Sequence, residues 1–546
     1  MNKSIVFFFI YIIVLSCSNK TELINQDTII NHKSLFRYNE PGGISSLDPA
    51  RISKFEDFLA SRHLFNGLVS LDSNLNISPC ISKSWNISSD GKTYTFNLRT
   101  DVYFHESKLF KDSTRTVLAS DVQFSFSRII NPETASPGKY IFNNVLPFPD
   151  GIKVMNDSTV QIKLLEPQPS FLHQLCLPYG SILPYELVLN YKSNFSQNAI
   201  GTGPFKLKTW KKDVKMVLVK NEKYFEKDNK GVNLPYIDAV AITFLSDKQQ
   251  ELLKFKLFNL EMISGINEDD KDMMLTSSGE LKPEFKSDFY LQKKPWLNTD
   301  YLAILVDDSI NNITENPLRY KKIRQAISYA IDRNKFVKYL RNGIGVPANN
   351  GFIPLGMPGF SSFKINGISY NENKAIKLFK ELDLNEIKLT LSASQQYKVI
   401  CEFLQKQLEK IGFVVSVEIY TPSALKQRVI NYDANFYRKS WVADFPDAIN
   451  YFQLFYSKYF YPKYGYNYTH FKHDLYDQIY EKAIIEQDTT LKYSLYKQLN
   501  EILNEQSPVI PLFYGETLRF FNKSVSGVSS NSMNILDLKR VRINKL

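Results

Sequence analysis

An α/β protein built of two or three lobes is what this sequence predicts. Three observations carry that expectation. The chain has 546 residues, more than one hydrophobic core usually serves. Several short segments alternate apolar and polar residues, as half-buried strands do. Between residues 398 and 419 an amphipathic stretch, a glycine and a β-branched run follow one another, the helix–turn–strand unit of an α/β layer. Hydrophobic residues make up 43% of the chain, which fits a packed protein and excludes a disordered one.

The elements follow in order. Lys3 precedes an unbroken apolar run, Ile5 to Leu15. A charged start, a short apolar run and a small residue at a cleavage point form a secretory signal. The run is shorter than the roughly 20 residues that span a bilayer. Val14-Leu15-Ser16-Cys17 resembles a bacterial lipobox, in which Cys17 becomes the lipidated first residue. Residues 1–17 are therefore expected to be a lipoprotein signal peptide, and the polar residues 18–33 a tether. The rest of the chain is placed outside the cytoplasm, on a membrane surface.

Leu35-Phe36-Arg37-Tyr38 reads as a strand. Thr93 to Arg99 alternates, with Tyr94, Phe96 and Leu98 on one face, after the turn signal Asp90-Gly91. Val240, Ile242 and Phe244 form another alternating set. In 321–333 the stripe Ile323, Ala326, Ile327, Ala330, Ile331 predicts a helix, with Lys321, Lys322 and Arg324 off it. Asn371 is placed to cap a helix carrying Ala375, Leu378 and Phe379. Residues 398–411 put Ile400, Phe403, Leu404, Leu408 and Ile411 on one helical face, Gly412 ends it, and 413–419 is a strand. A last helix over 491–503 turns Leu495, Leu499 and Ile502 inward.

The formal net charge is +11, but lysines are scattered, which argues against a nucleic-acid arm. Beyond Cys17, the cysteines are Cys80, Cys176 and Cys401. No metal-ligand spacing joins them; Cys80 and Cys176 either pair or stay as buried thiols. His470-x-x-His473 is the one ligand-like histidine spacing, without an acidic partner motif. Gly201-Thr202-Gly203-Pro204 lacks the lysine of a phosphate loop, and Pro204 removes a donor, so it reads as a tight turn. No nucleophile–base arrangement is visible. Residues 432–468 are rich in aromatics and embed Asp444 and Asp447. Such a segment either lines a pocket or packs a core.

Taken together, several segments resemble the peptide/nickel ABC-transporter solute-binding proteins of family 5. Leu47-Asp48-Pro49-Ala50, Leu64-Phe65-Asn66-Gly67-Leu68, and Ser84-Trp85 with Asp90 to Arg99 match its early part. Ala119-Ser120-Asp121-Val122, Gly201-Thr202-Gly203-Pro204-Phe205, Ile323-Arg324-Gln325-Ala326-Ile327 with Ala330 to Arg333, and Pro508 to Phe513 follow in family order. Phe104-His105-Glu106-Ser107 and a long loop to Ala119 replace the family's Phe-x-Asp-Gly, and this departure reads as surface variation away from the ligand.

The resemblance implies a two-lobed periplasmic-binding-protein-like (type II) fold with an inserted domain. Residues 34–66, 185–295 and 508–546 would form lobe I, 67–184 the inserted domain and 296–507 lobe III. It implies an extracytoplasmic lipoprotein, monomeric and without cofactor or enzymatic activity, that closes on a peptide and delivers it to an ABC permease. Trp441-x-Ala443-Asp444 resembles the family segment that carries the peptide-amine aspartate. Asp444 would hold the ligand ammonium, with Ala443 in the same segment. Trp441 and Tyr437 would wall the cleft, or Trp441 is core. Asp447 would be structural. The rivals are the same fold binding a nickel chelate or an oligosaccharide, a secreted hydrolase, and a receptor that senses peptide.

Overall fold

Two long antiparallel strands tie the halves of the molecule together. The computed structural model describes residues 34–267, 270–307, 310, 316–382 and 386–544. The signal segment 1–17 with Cys17, and the tether 18–33, lie outside the described residues.

Strand β1 is Leu35–Asn39. Strands β2 (Ser82–Ile87), β3 (Thr93–Leu98), β4 (Ile152–Asn156) and β5 (Thr159–Lys163) form a separate sheet in the order β2-β3-β5-β4. The main sheet adds β6 (Phe205–Lys211), β7 (Lys215–Lys220), β8 (Ala239–Thr243), β9 (Met262–Ser264) and β10 (Phe289–Ile304). After the short β11 (Val346–Pro347) come β12 (Lys388–Ser394), β13 (Val414–Tyr420), β14 (Phe436–Val442) and β15 (Val509–Asn522). Its order is β13-β12-β14-β10-β15-β9-β1-β8-β7-β6, with β11 beside β15.

Strands β10 and β15 each serve two sheet halves. Phe289–Pro295 pairs with Glu516–Asn522, next to β9 and β1. Thr299–Ala303 pairs with Val509–Tyr514, next to β14. Between Pro295 and Thr299 the register breaks. Gly515 stands there because a Cβ would come within 2.9 Å of Asn298 Oδ1. One core lies under β1 and the β2–β5 sheet, around Phe36, Phe96, Phe126 and Phe171. The two faces of the β10/β14 half carry separate cores, one with Tyr301, Tyr451 and Tyr496, the other with Ile304, Ile323 and Leu404.

Most local signals are realised. β3 buries Tyr94, Phe96 and Leu98 and exposes the alternates more. Asn371 caps Glu372–Lys380 through the Lys374 amide. Lys398–Glu409 ends before Gly412, whose φ is +112°, a conformation that favours glycine. Other readings shift. The helix from Lys321 stops at Ala330; Ile331 is extended but still buried, and Asp332 caps the next short helix. Arg324, off the apolar stripe, is buried: its guanidinium donates to the Leu318, Arg319 and Gln506 carbonyls. β8 is buried on both faces, with Val240 and Ile242 in the core beneath β1, and its edges are paired with β1 in parallel and β7 antiparallel; Phe244 lies past its end. The last helix runs Thr489–Gln506 and centres its buried face on Tyr496, Leu499 and Leu503, leaving Leu495 and Ile502 half-buried.

The segment after Phe104 is not simply surface. Phe104, His105, Phe110 and Val117 are buried. His105 accepts from the Gly201 amide at 3.3 Å and donates to the Gly203 carbonyl at 3.0 Å. A Cβ on Gly201 would lie 2.2 Å from the Leu64 carbonyl oxygen. The glycine turn is thus a close backbone approach, pinned by a histidine whose burial lowers its pKa to about 4.

Candidate functional site

The segment after β14 carries two carboxylates three residues apart. Asp447 is 7% exposed and internally matched. Its carboxylate takes Lys492 Nζ at 3.3 Å, the Tyr496 hydroxyl and the Ile449 amide. Burial pushes this carboxyl up, but Lys492 and those hydrogen bonds outweigh it, and the net shift is down.

Asp444 differs in every respect. Its side chain is exposed, yet it sits in a recess whose walls displace bulk water. That desolvation raises its pKa against the lowering by Asn450. Among the described residues no cation pairs with it. Its one side-chain partner is Asn450, which is 1% exposed. Asn450 Nδ2 donates to Asp444 Oδ2 at 3.1 Å, while its Oδ1 accepts from the Asp444 amide at 3.2 Å and from Trp441 Nε1 at 3.0 Å. One buried amide therefore orients both the carboxylate and the indole.

The walls come from two parts of the chain. Trp441 and Tyr466 approach at 5.7 Å between ring centroids. Tyr140 and Tyr179 meet edge-on at 6.4 Å, and the Tyr179 hydroxyl is fixed by the Ile52 carbonyl at 2.8 Å. Burial first, and the Asp444 charge second, raise the pKa of Tyr140, Tyr179 (to about 12) and Tyr466. An accessible anion whose charge is felt by three nearby tyrosines suits a small organic cation, since both a carboxylate and ring quadrupoles attract one.

Of the sequence-derived residues, Asp444 and Trp441 come together in this recess. Ala443 lies 3% exposed, with its amide donated to the Leu297 carbonyl at 2.9 Å. Tyr437 is 3% exposed, in the core with Tyr301 and Tyr451, and its hydroxyl has no partner among the described residues. Tyr140, Tyr179, Tyr466 and Asn450 had no individual signal. His473 caps Asp474–Ile485 and His470 contacts the Tyr461 carbonyl; no grouping able to hold a metal occurs among the described residues. Cys80 and Cys176 are buried free thiols, their pKa values raised by burial to about 11 and about 12. They line a separate recess of about 410 Å³, whose charges are largely matched internally, with Lys539 on Glu226 at 2.6 Å and near Asp537 at 3.6 Å.

Comparison with known proteins gives a consistent answer. The family model "Bacterial extracellular solute-binding proteins, family 5 Middle" matches residues 76–462. The dipeptide-binding protein of Escherichia coli (strain K12) is 26% identical over 485 residues, covering 85% of this chain and 86% of that protein. Heme-binding protein A of Haemophilus influenzae is 27% identical over 482 residues, covering 83% and 82%. The solved structure of the ABC transporter-associated periplasmic binding protein DppA from Helicobacter pylori, in complex with the peptide STSA, superposes with a TM-score of 0.75. It is 24% identical and covers 94% of this chain and 98% of that chain, a likeness of the two-lobed fold. A family match over most of the chain, on that fold, makes this protein a member of the bacterial extracellular solute-binding proteins, family 5, and a binding protein rather than an enzyme.

Proposed function

We propose that this protein captures peptides outside the cytoplasmic membrane and delivers them to an ABC permease. The observation that carries the reading is Asp444, an accessible carboxylate that no cation among the described residues pairs with, oriented by a buried amide that also holds the Trp441 indole. The carboxylate takes the peptide's α-ammonium. Trp441 walls the recess, and Ala443 and Tyr437 support it from behind. Residues 34–66, 185–295 and 508–546 act as lobe I, 67–184 as the inserted domain and 296–507 as lobe III. Closure bends the two crossing strands where their register breaks, at 295–299 and near Gly515. Ligand favours the closed state only by the additional contacts it makes there. Lipid on Cys17 tethers a monomer to the membrane, and no cofactor takes part.

The relatives named for peptide support this reading. A charge-assisted hydrogen bond to an ammonium contributes about 1.5–3 kcal/mol. Asp444→Asn is therefore expected to weaken free-amine peptides by about 10- to 100-fold with the melting temperature kept, measured by calorimetry. Unchanged affinity would remove Asp444 from the site. Native mass spectrometry of protein purified without unfolding is expected to show co-purified short peptides. An empty protein stabilised only by a sugar or a metal chelate would overturn the peptide reading.

A further inference from the structure

An exposed apolar patch lies where the described chain begins. The helix Lys248–Lys256 packs Leu252 and Phe255 into a small core with Phe289. Its other side presents Leu253 and Leu257, one turn apart and 58% and 61% exposed. Phe258 follows with φ +59°, uncommon for a bulky residue. It too is exposed, although its ring stacks on Phe289 at 5.5 Å. Lys256 joins the exposed Met273 to this group, with its ammonium 3.9 Å from Met273 Sδ and 5.6 Å from the Phe285 ring centroid. Lys254 and Lys256 pair with no carboxylate among the described residues. Three nearby acids are already matched: Glu251 by Lys248 at 2.6 Å, Glu261 by Arg37 at 2.5 Å, and Asp272 by Asn342. Glu284 and Asp288, exposed in the segment around Phe285, repel anions and confine an acidic partner to the helix and Met273.

Two contacts fix where this patch lies. Arg37, in the strand that starts at Leu35, donates to the Phe258 carbonyl at 2.9 Å, so the patch adjoins the point at which the chain arrives from Cys17. Residues 18–33 reach at most about 60 Å when fully extended. Phe289 is the first residue of β10, and Asn298 further along it donates to the Trp441 carbonyl at 3.3 Å. At about 3.3 Å per residue, roughly 30 Å of strand separates the patch from the Asp444 recess.

We infer that this face docks on an anionic lipid bilayer and holds the tethered protein, between deliveries, with its recess open to solutes. The inference rests on the lipid-anchor reading and deepens it. Contiguous exposed apolar side chains mark an interaction surface. Leu253, Leu257, Phe258 and Met273 enter the headgroup boundary, and Lys254 and Lys256 meet acidic headgroups. Each lysine held at such a surface strengthens binding about fivefold. Because the tether keeps the patch close to the bilayer, weak contact is enough, and the protein lets go to present its ligand.

The test is hydrogen exchange, read by mass spectrometry, on the full protein purified from membranes and placed on vesicles. One set is phosphatidylcholine alone; the other holds about one third phosphatidylglycerol. Amides of residues 249–260 are expected to exchange at least about fivefold more slowly on the anionic set. Leu253→Ser with Leu257→Ser, and separately Lys254→Glu with Lys256→Glu, should abolish the slowing and keep peptide affinity. If one pair does not fold, the other decides. Slowing retained in both pairs, or equal on both vesicle sets, would overturn the inference. Slowing that rises with protein concentration without vesicles would make a second copy the occupant and overturn it too. Flotation with the vesicles but no slowing would keep the lipid anchor and overturn the docking face. Slowing by protein that carries no lipid on Cys17 would keep the face and overturn the anchor.

Discussion

Asp444 and Asp447 are the same side chain three residues apart, and the protein treats them oppositely. Asp447 has Lys492, Tyr496 and the Ile449 amide, so its charge is matched on folding. Asp444 has one neutral amide and an open side. The preceding strand β14 repeats the contrast: Arg438 has Asp300, while among the described residues Lys439 meets an aromatic ring and no carboxylate. A buried charge with its own partner holds the scaffold together. A charge held in place without one leaves its open side to whatever the recess takes from outside.

That contrast is broken most forcibly by removing the matched partner. Asp447→Ala leaves Lys492 mostly buried and unpaired, which costs about 3–5 kcal/mol. Denaturant unfolding should register that loss, while Asp444→Asn should leave stability unchanged or raised. If Asp444→Asn destabilises as much as Asp447→Ala, the two carboxylates are both structural and the contrast fails.

The two aspartates also predict opposite pH dependence. The folded-state pKa of Asp447 is lowered, so its stabilisation is present above the ordinary carboxylate value and is lost as pH falls through the lowered pKa. The folded-state pKa of Asp444 is raised; the ligand-free protein is favoured below the ordinary value and loses that advantage as pH rises through the raised one. Comparing wild type with Asp444→Asn, the variant should gain relative stability as pH rises across that window. A flat difference would mean that Asp444 is not desolvated.

Asn450 sharpens the comparison from the side of geometry. Asn450→Ala frees both the Asp444 carboxylate and the Trp441 indole. A stability loss of about 1–3 kcal/mol should accompany a several-fold fall in peptide affinity. The affinity loss should vanish for N-acetylated peptides, which have no ammonium to offer Asp444. An equal loss for both peptide forms would make Asn450 a packing residue and nothing more.

The sequence made part of this legible. Asn371, Gly412 and Asp90-Gly91 act through local backbone chemistry, and each stands where its residue type requires. Asp444 and Trp441 were reached through a short motif. Tyr140 and Tyr179 were not, because they lie more than 260 residues before Asp444 and no local pattern records a proximity across so long a separation. Arg324 read only as lying off the apolar stripe, since helical spacing reports which face a residue occupies but not which carbonyls wait beyond it. Tyr437 was expected to wall the cleft because it lies near Trp441 in sequence, and the strand does put it on the Trp441 face. The same face becomes core further along the strand, where Tyr301 and Tyr451 cover it.

Tyr437 therefore supplies the smallest and most discriminating test. Its hydroxyl is buried without a partner among the described residues, and a satisfied hydroxyl would contribute about 0.5–1.5 kcal/mol. Tyr437→Phe removes only that oxygen and leaves the ring packing in place. Unfolding free energy in the absence of ligand should stay the same or rise by up to about 1 kcal/mol. A clear fall would show that the hydroxyl is bonded within the protein, and Tyr437 would join Asp447 as scaffold. Stability kept with weaker peptide binding would place it with Asp444, as a group that meets the ligand.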